Sequence, residues 1–225
     1  MSELSGNIGE SDESGKLHFY GGVDEAGKGP VIGPMAIGIV VADERIMREA
    51  GARDSKTLSQ SSRLRIGKLI RESAEYWKVE MIQPSFLNVK MNEMTINRIE
   101  EIKVAEIIKD SGFRDFIVDS FDVNEERLSS LLSSMTGRNV ICRHRADQIY
   151  GNVSAASVLA KLEREEAMDR IRKEYGNTGS GYPSDPRTIE FLRRSIQEGR
   201  DISGIVRTHW KTYTSMISGM NQKRL

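Results

Sequence analysis

Two adjacent acids end the first apolar run of the chain. In HFYGGVDEAGKGPVIGP, residues 18–34, the apolar run reaches Asp24 and Glu25 and then breaks into glycines and prolines. Neighbouring carboxylates that lose water repel each other, and a divalent ion such as Mg²⁺ or Mn²⁺ relieves that repulsion. The pair therefore predicts a metal site. An ordinary turn carrying two solvated acids would explain the same residues equally well.

The residues after this pair suit an anion. Gly27 and Gly29 flank Lys28 and carry no Cβ, so the backbone can approach a ligand closely and offer it N–H groups. The stretch as a whole thus predicts a phosphate bound beside a metal ion.

A third acid, Asp119, also follows an apolar run, in DFIVDS. Ligands collect at the ends of strands in parallel α/β sheets, so an acid in this position is a candidate ligand. The alternative is a helix start, in which Ser120 or Asp122 caps the segment that follows. Of these two, Asp122 is the predicted helix cap.

A fourth acid, Asp147, precedes a long segment of helical period. If the helix is continuous, the spacings of seven, three, four and three place Asp147, Ser154, Ser157, Lys161 and Arg164 on one face. This face would carry a carboxylate, two hydroxyls and two cations. A solvated polar face is the ordinary explanation of such a stripe.

Composition limits the classes of protein that fit. The 225 residues are 38% hydrophobic, enough for a core, and the 33 basic residues balance the 33 acidic ones. A polyanion must therefore be held locally rather than by a general basic field. The single cysteine, Cys142, excludes an internal disulfide framework and fits a reducing compartment.

The beginning of the chain has no secretory pattern. Residues 1–16 are acidic and rich in Ser and Gly, which predicts a disordered tail. The longest apolar run, 31–42, is interrupted by glycines and a proline and is too short to span a bilayer. We therefore expect a cytoplasmic protein without membrane contact.

Apolar β-branched runs alternate with segments of helical period, which predicts an α/β fold. Because a short loop joins the first two strands and helices separate the later ones, the sheet should be mixed. The predicted strands are 19–24, 36–42, 76–82, 115–119 and 140–144, and the predicted helices are 61–74, 94–110, 124–135, 152–175, 185–199 and 210–222.

Five stretches resemble the type 2 ribonucleases H, specifically the ribonuclease HII family. They are DEAGKGPVIGP, DSKTLS at 54–59, VDS within 117–120, HRAD followed by SAASVLAKLER, and GSGYPSDP at 179–186. Their order and spacing match the family from about residue 18 to about residue 212, and the sequence is similar to archaeal members. The type 3 enzymes share many of these motifs but carry a sizeable additional N-terminal domain, whereas only a short tail precedes the first strand here.

The resemblance implies a ribonuclease H-like mixed five-stranded sheet flanked by helices, with a C-terminal helical region. In domain terms we expect a tail at 1–16, a catalytic domain at 17–175 and a helical region at 176–225 packed on it. The family's catalytic, metal-binding acids correspond to Asp24, Glu25, Asp119 and Asp147. Successive strand residues point to opposite faces, so Glu25 joins Asp24 only if the strand ends or bulges there. Otherwise Glu25 acts through its carbonyl or a bound water.

The implied activity is hydrolysis of the RNA strand of RNA/DNA hybrids, including cleavage 5′ of single ribonucleotides in duplex DNA. The implied cofactors are two Mg²⁺ or Mn²⁺ ions, and the products carry 3′-hydroxyl and 5′-phosphate ends. A nuclease or resolvase of the same fold would keep the acids with another substrate, and a non-catalytic hybrid-binding module would not need them. Neither His144 nor His209 is expected to act as an acid or base.

The resemblance also implies substrate contacts. Gly27, Lys28 and Gly29 would read the 2′-hydroxyl at the RNA-to-DNA junction, and Tyr182 would stack on the following sugar. Many family members have Arg in place of Lys28; lysine removes the bidentate geometry but keeps the charge and the backbone. The residues expected to hold backbone phosphates are Ser55, Lys56, Ser154, Ser157, Lys161 and Arg164.

The expected partners are RNA/DNA hybrids and duplex DNA that contains ribonucleotides, and we expect a monomer. Some archaeal relatives end in a clamp-binding peptide with paired aromatic residues. The C-terminal sequence MISGMNQKRL has no aromatic residue. A sliding-clamp partner is therefore not predicted.

Overall fold

The computed structural model describes residues 19–51 and 59–222. The predicted tail at 1–16 lies outside the described residues, as do Ser55 and Lys56. Within the described residues, no helix combines the length and the apolar character that a membrane span requires.

The described residues form five strands and nine helices. The strands are β1 (Phe19–Ala26), β2 (Met35–Asp43), β3 (Tyr76–Ile82), β4 (Asp115–Asp119) and β5 (Asn139–Arg143). The helices are α1 (Glu44–Glu49), α2 (Gln60–Ser73), α3 (Pro84–Lys90), α4 (Ile96–Ser111), α5 (Glu125–Thr136), α6 (Ala146–Ile149), α7 (Gly151–Tyr175), α8 (Pro186–Gln197) and α9 (Lys211–Gln222).

The five strands form one mixed sheet in the order β3-β2-β1-β4-β5. β1 and β4 pair in parallel, with Val23 opposite Val118, and β4 pairs in parallel with β5, with Val118 opposite Cys142. The carboxyl ends of these three strands therefore lie at the same edge of the sheet, the edge at which α/β proteins place ligands.

By its contacts, the described chain divides into two compact units. The first comprises residues 19–25, 37–51, 59–80 and 100–162, and the second comprises residues 26–36, 81–99 and 163–222. The predicted division at residue 175 stays a prediction.

In the first unit, the beginning of α7 lies directly against the sheet. A Cβ on Gly22 would lie 2.1 Å from the carbonyl carbon of Asn152, and a Cβ on Gly38 would lie 2.4 Å from the carbonyl oxygen of Ala156. Only glycine permits this close backbone approach. The buried Asn152 side chain donates to the carbonyls of Tyr20 (2.7 Å) and Ala42 (3.0 Å), which fixes α7 to both β1 and β2.

The second unit has an apolar core of its own, built from the segment after β1 and from the C-terminal third of the chain. Its backbone joins these two regions through an antiparallel bridge between Ile32 and Val206. The buried members of the core are Val31, Ile32, Met168, Leu192, Ile202, Ile205 and Val206.

The predicted mixed five-stranded α/β sheet is confirmed, and every predicted strand and helix end lies within two residues of its observed position. The helices α1, α3 and α6 were not predicted. The predicted cap Asp122 is wrong, because the side chain of Asn124 accepts the N–H of Arg127 and caps α5. The prediction that one continuous helix carries Asp147 and Arg164 on a single face is wrong. Asp147 lies on α6, and Tyr150 is extended (φ −106°, ψ 122°) before α7 begins. An extended residue breaks the helical phase, so the carboxylate does not continue the stripe of α7.

Candidate active site

Asp24 and Asp119 occupy equivalent positions on neighbouring strands. Val23 of β1 is aligned with Val118 of β4, and each is followed by its acid. Apolar residues of both strands are buried in the core, and the two acids lie at the carboxyl ends of these strands. The parallel register thus brings together two carboxylates that are far apart in sequence.

Asp24 is buried near the end of β1 among other charged groups. It is only 6% exposed, and burial is the main cause that raises its pKa well above the usual value. The neighbouring carboxylates of Glu25 and Asp119 raise the pKa further, whereas the Ser157 hydroxyl and the Lys161 ammonium lower it. These opposing contributions show that Asp24 lies among two acids, a hydroxyl and a cation.

Glu25 is half-buried, and its backbone N–H donates to Oδ1 of Asp24 at 2.7 Å. β1 ends at Ala26, so the regular strand stops one residue beyond the pair. Both acids therefore lie within the strand, where successive side chains point to opposite faces, and a joint role of Glu25 with Asp24 stays a prediction.

A hydrogen bond to the residue before Asp147 connects its turn to Asp119. Oδ1 of Asp119 accepts the N–H of Ala146 at 2.7 Å, and Asp147 is the next residue. Arg145, which precedes them, adopts a left-handed conformation (φ 58°, ψ 33°). Such a conformation is costly for a residue other than glycine and is found where surrounding contacts enforce it. The tight turn leaves Asp147 only 4% exposed.

Within residues 19–51 and 59–222, no group of three or more His, Cys, Asp or Glu side chains forms a ready-made metal site. The acids nevertheless suit a hard divalent cation, because carboxylate oxygens are its preferred ligands and the Asp24 carboxylate is buried against two others. The residues present therefore fit Mg²⁺ or Mn²⁺. The convergence of all four acids on one metal site stays a prediction.

On α7, the polar stripe reaches the acids through Ser157. Lys161 Nζ donates to Ser157 Oγ at 2.8 Å, and Ser157 hydrogen-bonds Asp24. Ser154 and Ser157 are both fully buried. A solvated polar face does not explain them, because buried hydroxyls require partners. Their predicted contact with substrate phosphates stays a prediction.

Residues 27–33 of the second unit form what we call the glycine loop, and the packing of this loop requires glycine at position 27. The φ of Gly27 is 81°, and a Cβ on it would lie 2.2 Å from Nε of Arg164. Gly29 differs: its φ is not left-handed, it is exposed, and a Cβ on it would only make a contact of 3.7 Å with Cε1 of Tyr182. The packing of the loop therefore demands glycine at position 27 but not at position 29.

Arg164 lies beneath this loop and against Tyr182. Its guanidinium carbon is 5.4 Å from the centroid of the Tyr182 ring, and the residue is only 8% exposed. Its Nε and Nη2 atoms are buried without a hydrogen-bond partner, and burial lowers the pKa of this guanidinium. Such donors would suit an anion, and the predicted contact of Arg164 with a substrate phosphate stays a prediction.

Tyr182 is 41% exposed, on the loop that follows α7. The loop is held from both sides: Thr188 Oγ1 accepts the N–H of Gly181 at 3.0 Å, and Asp185 Oδ2 accepts the N–H of Ser180 at 2.8 Å. An exposed aromatic ring on a fixed loop suits stacking on a ligand. Its predicted stacking on a sugar stays a prediction.

Two residues that contact the glycine loop were missed from the sequence. Arg207 is fully buried and donates to three loop carbonyls, and Trp210 donates to a fourth. Lone Arg and Trp residues in IVRTHW carry no spacing signal that would have identified them. His209 instead contacts the Asn92 side chain (3.2 Å), and His144 is 3.9 Å from Glu125.

Comparison with known proteins gives one family. The family model for ribonuclease HII matches residues 21–213. The ribonuclease HII of Thermoplasma volcanium is 45% identical over 207 residues, which cover 91% of this chain and 96% of that protein.

Solved structures agree with this result. The ribonuclease H2 of Pyrococcus horikoshii OT3 superposes with a TM-score of 0.84 at 34% identity and covers 91% of this chain and 99% of its own. The ribonuclease HII of Archaeoglobus fulgidus, solved in complex with PCNA, gives a TM-score of 0.82 at 43% identity, covering 86% of this chain and 95% of its own. The chain therefore belongs to the ribonuclease HII family of divalent-metal-dependent hydrolases, which cleave RNA in RNA/DNA hybrids.

Proposed function

We propose that this protein cleaves the RNA strand of hybrids and also cuts 5′ of single ribonucleotides embedded in duplex DNA. Asp24, Glu25, Asp119 and Asp147 would hold two divalent ions, Mg²⁺ or Mn²⁺. When bound, such ions supply activated water and stabilise the charge that develops during phosphodiester hydrolysis. The products would carry 3′-hydroxyl and 5′-phosphate ends.

The observation that carries the proposal is the burial of Asp24 against two further carboxylates. Burying like charges together is unfavourable for folding, so their proximity indicates a site selected for binding a cation. Ser157 and Lys161 orient the Asp24 carboxylate, because Lys161 fixes the hydroxyl that hydrogen-bonds it. The chain's own contribution is thus to place carboxylate oxygens before the metal arrives.

Recognition of the ribonucleotide would fall to the second unit. The buried donors of Arg164 suit a backbone phosphate, the ring of Tyr182 suits the sugar, and the N–H groups around Lys28 suit a 2′-hydroxyl. Lys28 supplies charge without the bidentate geometry of an arginine. Of the α7 residues predicted to contact the substrate, Ser157 hydrogen-bonds Asp24 and Lys161 hydrogen-bonds Ser157.

The deciding experiment compares three duplexes of one sequence: DNA with a single ribonucleotide, all-DNA, and RNA/RNA. Only the first should be cleaved, on its 5′ side, and the new 5′ end should accept label from a kinase only after phosphatase treatment. Cleavage of all-DNA would instead favour a resolvase-like nuclease. Binding of the first duplex without any cleavage would favour a binding module.

The acids are tested by Asp119→Asn, with Asp115→Asn as the matched control. Both acids lie on β4, and Asp115 accepts a hydrogen bond from the Asn139 side chain at the opposite end of the strand (2.8 Å). Asp119→Asn should lower kcat by at least about 100-fold and weaken Mg²⁺ binding in calorimetry. Near-normal turnover in Asp119→Asn would refute the assignment.

The Archaeoglobus fulgidus relative was solved with PCNA, so a clamp partner is a question for this chain as well. We propose that residues 216–225 do not bind such a partner, because they lack the paired aromatic residues of a clamp-binding peptide. A synthetic peptide of these residues should not bind the sliding clamp of the source organism in calorimetry. Micromolar binding would contradict this.

A further inference from the structure

Arg207 lies behind the glycine loop and is completely buried. Its Nη2 donates to the carbonyl of Gly27 (2.7 Å), its Nη1 to that of Lys28 (2.9 Å) and its Nε to that of Gly33 (2.9 Å). A guanidinium is a rigid planar fork, so one side chain fixes three peptide groups in a single geometry.

Trp210 extends the same contact to the next peptide. Its Nε1 donates to the carbonyl of Gly29 at 3.1 Å, and its ring lies 4.8 Å from the guanidinium carbon of Arg207. The backbone N–H of Arg207 also donates to Val31 at 2.9 Å. The loop carbonyls from Gly27 to Gly29 are thus all turned toward this pair.

The direction of these carbonyls determines where the loop N–H groups point. In a trans peptide the C=O and the N–H of the next residue point in opposite directions, and the described residues contain no cis peptide. The N–H groups of Lys28 and Gly29 therefore point away from Arg207. Pro30 follows Gly29 and has no N–H, so these two are the donors that the 27–30 segment offers on its outer side.

We propose that Arg207 and Trp210 are positioning residues for ribonucleotide recognition, which present the N–H groups of Lys28 and Gly29 to the substrate. This inference rests on the proposed function of the loop. The pair acts from behind, through the backbone, and does not touch the substrate.

Charge supports this role. In the described part of the chain, no carboxylate pairs with Arg207, and its partners are peptide carbonyls and the Trp210 ring. The nearby positive charge of Arg164 adds to burial in lowering the pKa of Arg207. Within the described residues neither of these two buried guanidiniums forms an ion pair with a carboxylate. Their charge creates a positive potential behind the loop, which strengthens its outer N–H groups as donors to an electron-rich ligand.

Trp210→Phe and Arg207→Lys test the proposal. Trp210→Phe keeps the ring on the guanidinium and removes one hydrogen bond to the loop, whereas Arg207→Lys keeps the charge and removes the fork. Trp77→Phe is the matched control, because Trp77 is the other tryptophan of the chain and also stacks on an arginine, Arg71 (5.3 Å).

All variants are made in the Asp119→Asn background with Mg²⁺ present, and binding is read within a time too short for the slowed cleavage to matter. The measurement is the ratio of Kd for an all-DNA duplex to Kd for the same duplex with one ribonucleotide. Trp210→Phe should lower this ratio about fivefold and Arg207→Lys more than about tenfold, since a hydrogen bond to the loop is lost in each. Affinity for all-DNA should stay within about twofold of the parent, and Trp77→Phe should change neither value.

A ratio unchanged in Trp210→Phe, or an equal loss of affinity for both duplexes, would overturn the proposal. Arg207→Lys buries a poorly matched charge and could fail to fold. In that case Trp210→Phe still tests the proposal. The amide NMR shifts of Lys28 and Gly29 in the free protein should move in Trp210→Phe and not in Trp77→Phe. If the parent shows no preference for the ribonucleotide, the proposed function fails, whereas unmoved amide shifts would refute the positioning role itself.

Discussion

Gly29→Ala separates what the loop needs for folding from what it needs for its ligand. The backbone of Gly29 is not left-handed, the residue is exposed, and the added Cβ would meet Tyr182 Cε1 at an ordinary 3.7 Å. Replacing glycine by alanine at a compatible position stabilises a protein by about 0.4–1 kcal/mol, because the unfolded chain loses freedom. Gly29→Ala should therefore leave the free energy of unfolding unchanged or slightly higher.

The activity of the same variant should fall. The Cβ would project on the exposed side of the loop beside Tyr182, where the proposed sugar contact lies, and keep the ribose from the Gly29 N–H. We expect kcat/KM on the single-ribonucleotide duplex to fall at least about tenfold, equivalent to about 1.4 kcal/mol of lost transition-state binding.

Gly27→Ala supplies the contrast. Its left-handed backbone costs an alanine about 1–2 kcal/mol, and the Cβ at 2.2 Å from Arg164 Nε adds a steric clash. Urea unfolding should therefore show Gly27→Ala to be clearly less stable than wild type. Wild-type kcat/KM in a stable Gly29→Ala protein would refute the view that the loop approaches its ligand at this residue. A Gly27→Ala protein as stable as wild type would refute the steric argument.

Three further predictions concern recognition, charge and the buried thiol. Tyr182→Ala should sharply lower cleavage at a single ribonucleotide, whereas Mg²⁺ binding in calorimetry should persist. Tyr182→Phe keeps the ring and should retain most activity. Wild-type cleavage rates in Tyr182→Ala would show that the loop carrying Tyr182 is purely structural. Lys161→Ala or Arg164→Ala should weaken duplex binding and reduce the slope of log K against log salt by about one per lost phosphate contact, and an unchanged slope would argue against these contacts. Burial raises the pKa of Cys142 to about 12, so the folded protein should resist a thiol reagent at pH 8 and react once unfolded. Because the unfolded thiol ionises near pH 8.5, its contribution to stability should be complete below that pH and be lost as pH rises toward 12, which urea titrations at several pH values would detect.

The sequence predicted the elements that periodicity governs. β2 is apolar along its whole length and is buried throughout, and β4 begins and ends with an acid around three buried residues. Asp24 and Asp119 were each predicted to follow an apolar strand, and the parallel register of β1 and β4 makes their positions neighbours. Their role as metal ligands stays a prediction.

The sequence did not predict features that depend on single residues far apart. The helix α6 is too short to show a period, and its separation from α7 depends on one extended residue, Tyr150. The contacts of Arg207 with the glycine loop join residues about 180 positions apart, and no local pattern reports such a contact. Ser157 was predicted from its spacing, but its role as a link between Lys161 and Asp24 follows only from the packed structure.

At Asp24, selection for stability and selection for activity favour different residues. Asparagine has almost the same shape, can remain in the same space and removes a charge that burial and two neighbouring acids oppose. A single base change converts an Asp codon to an Asn codon, so random mutagenesis reaches this variant readily. A library screened only for heat resistance should therefore enrich Asp24→Asn and yield robust proteins that no longer cut. Any effort to make this protein more durable must select for cleavage in every round.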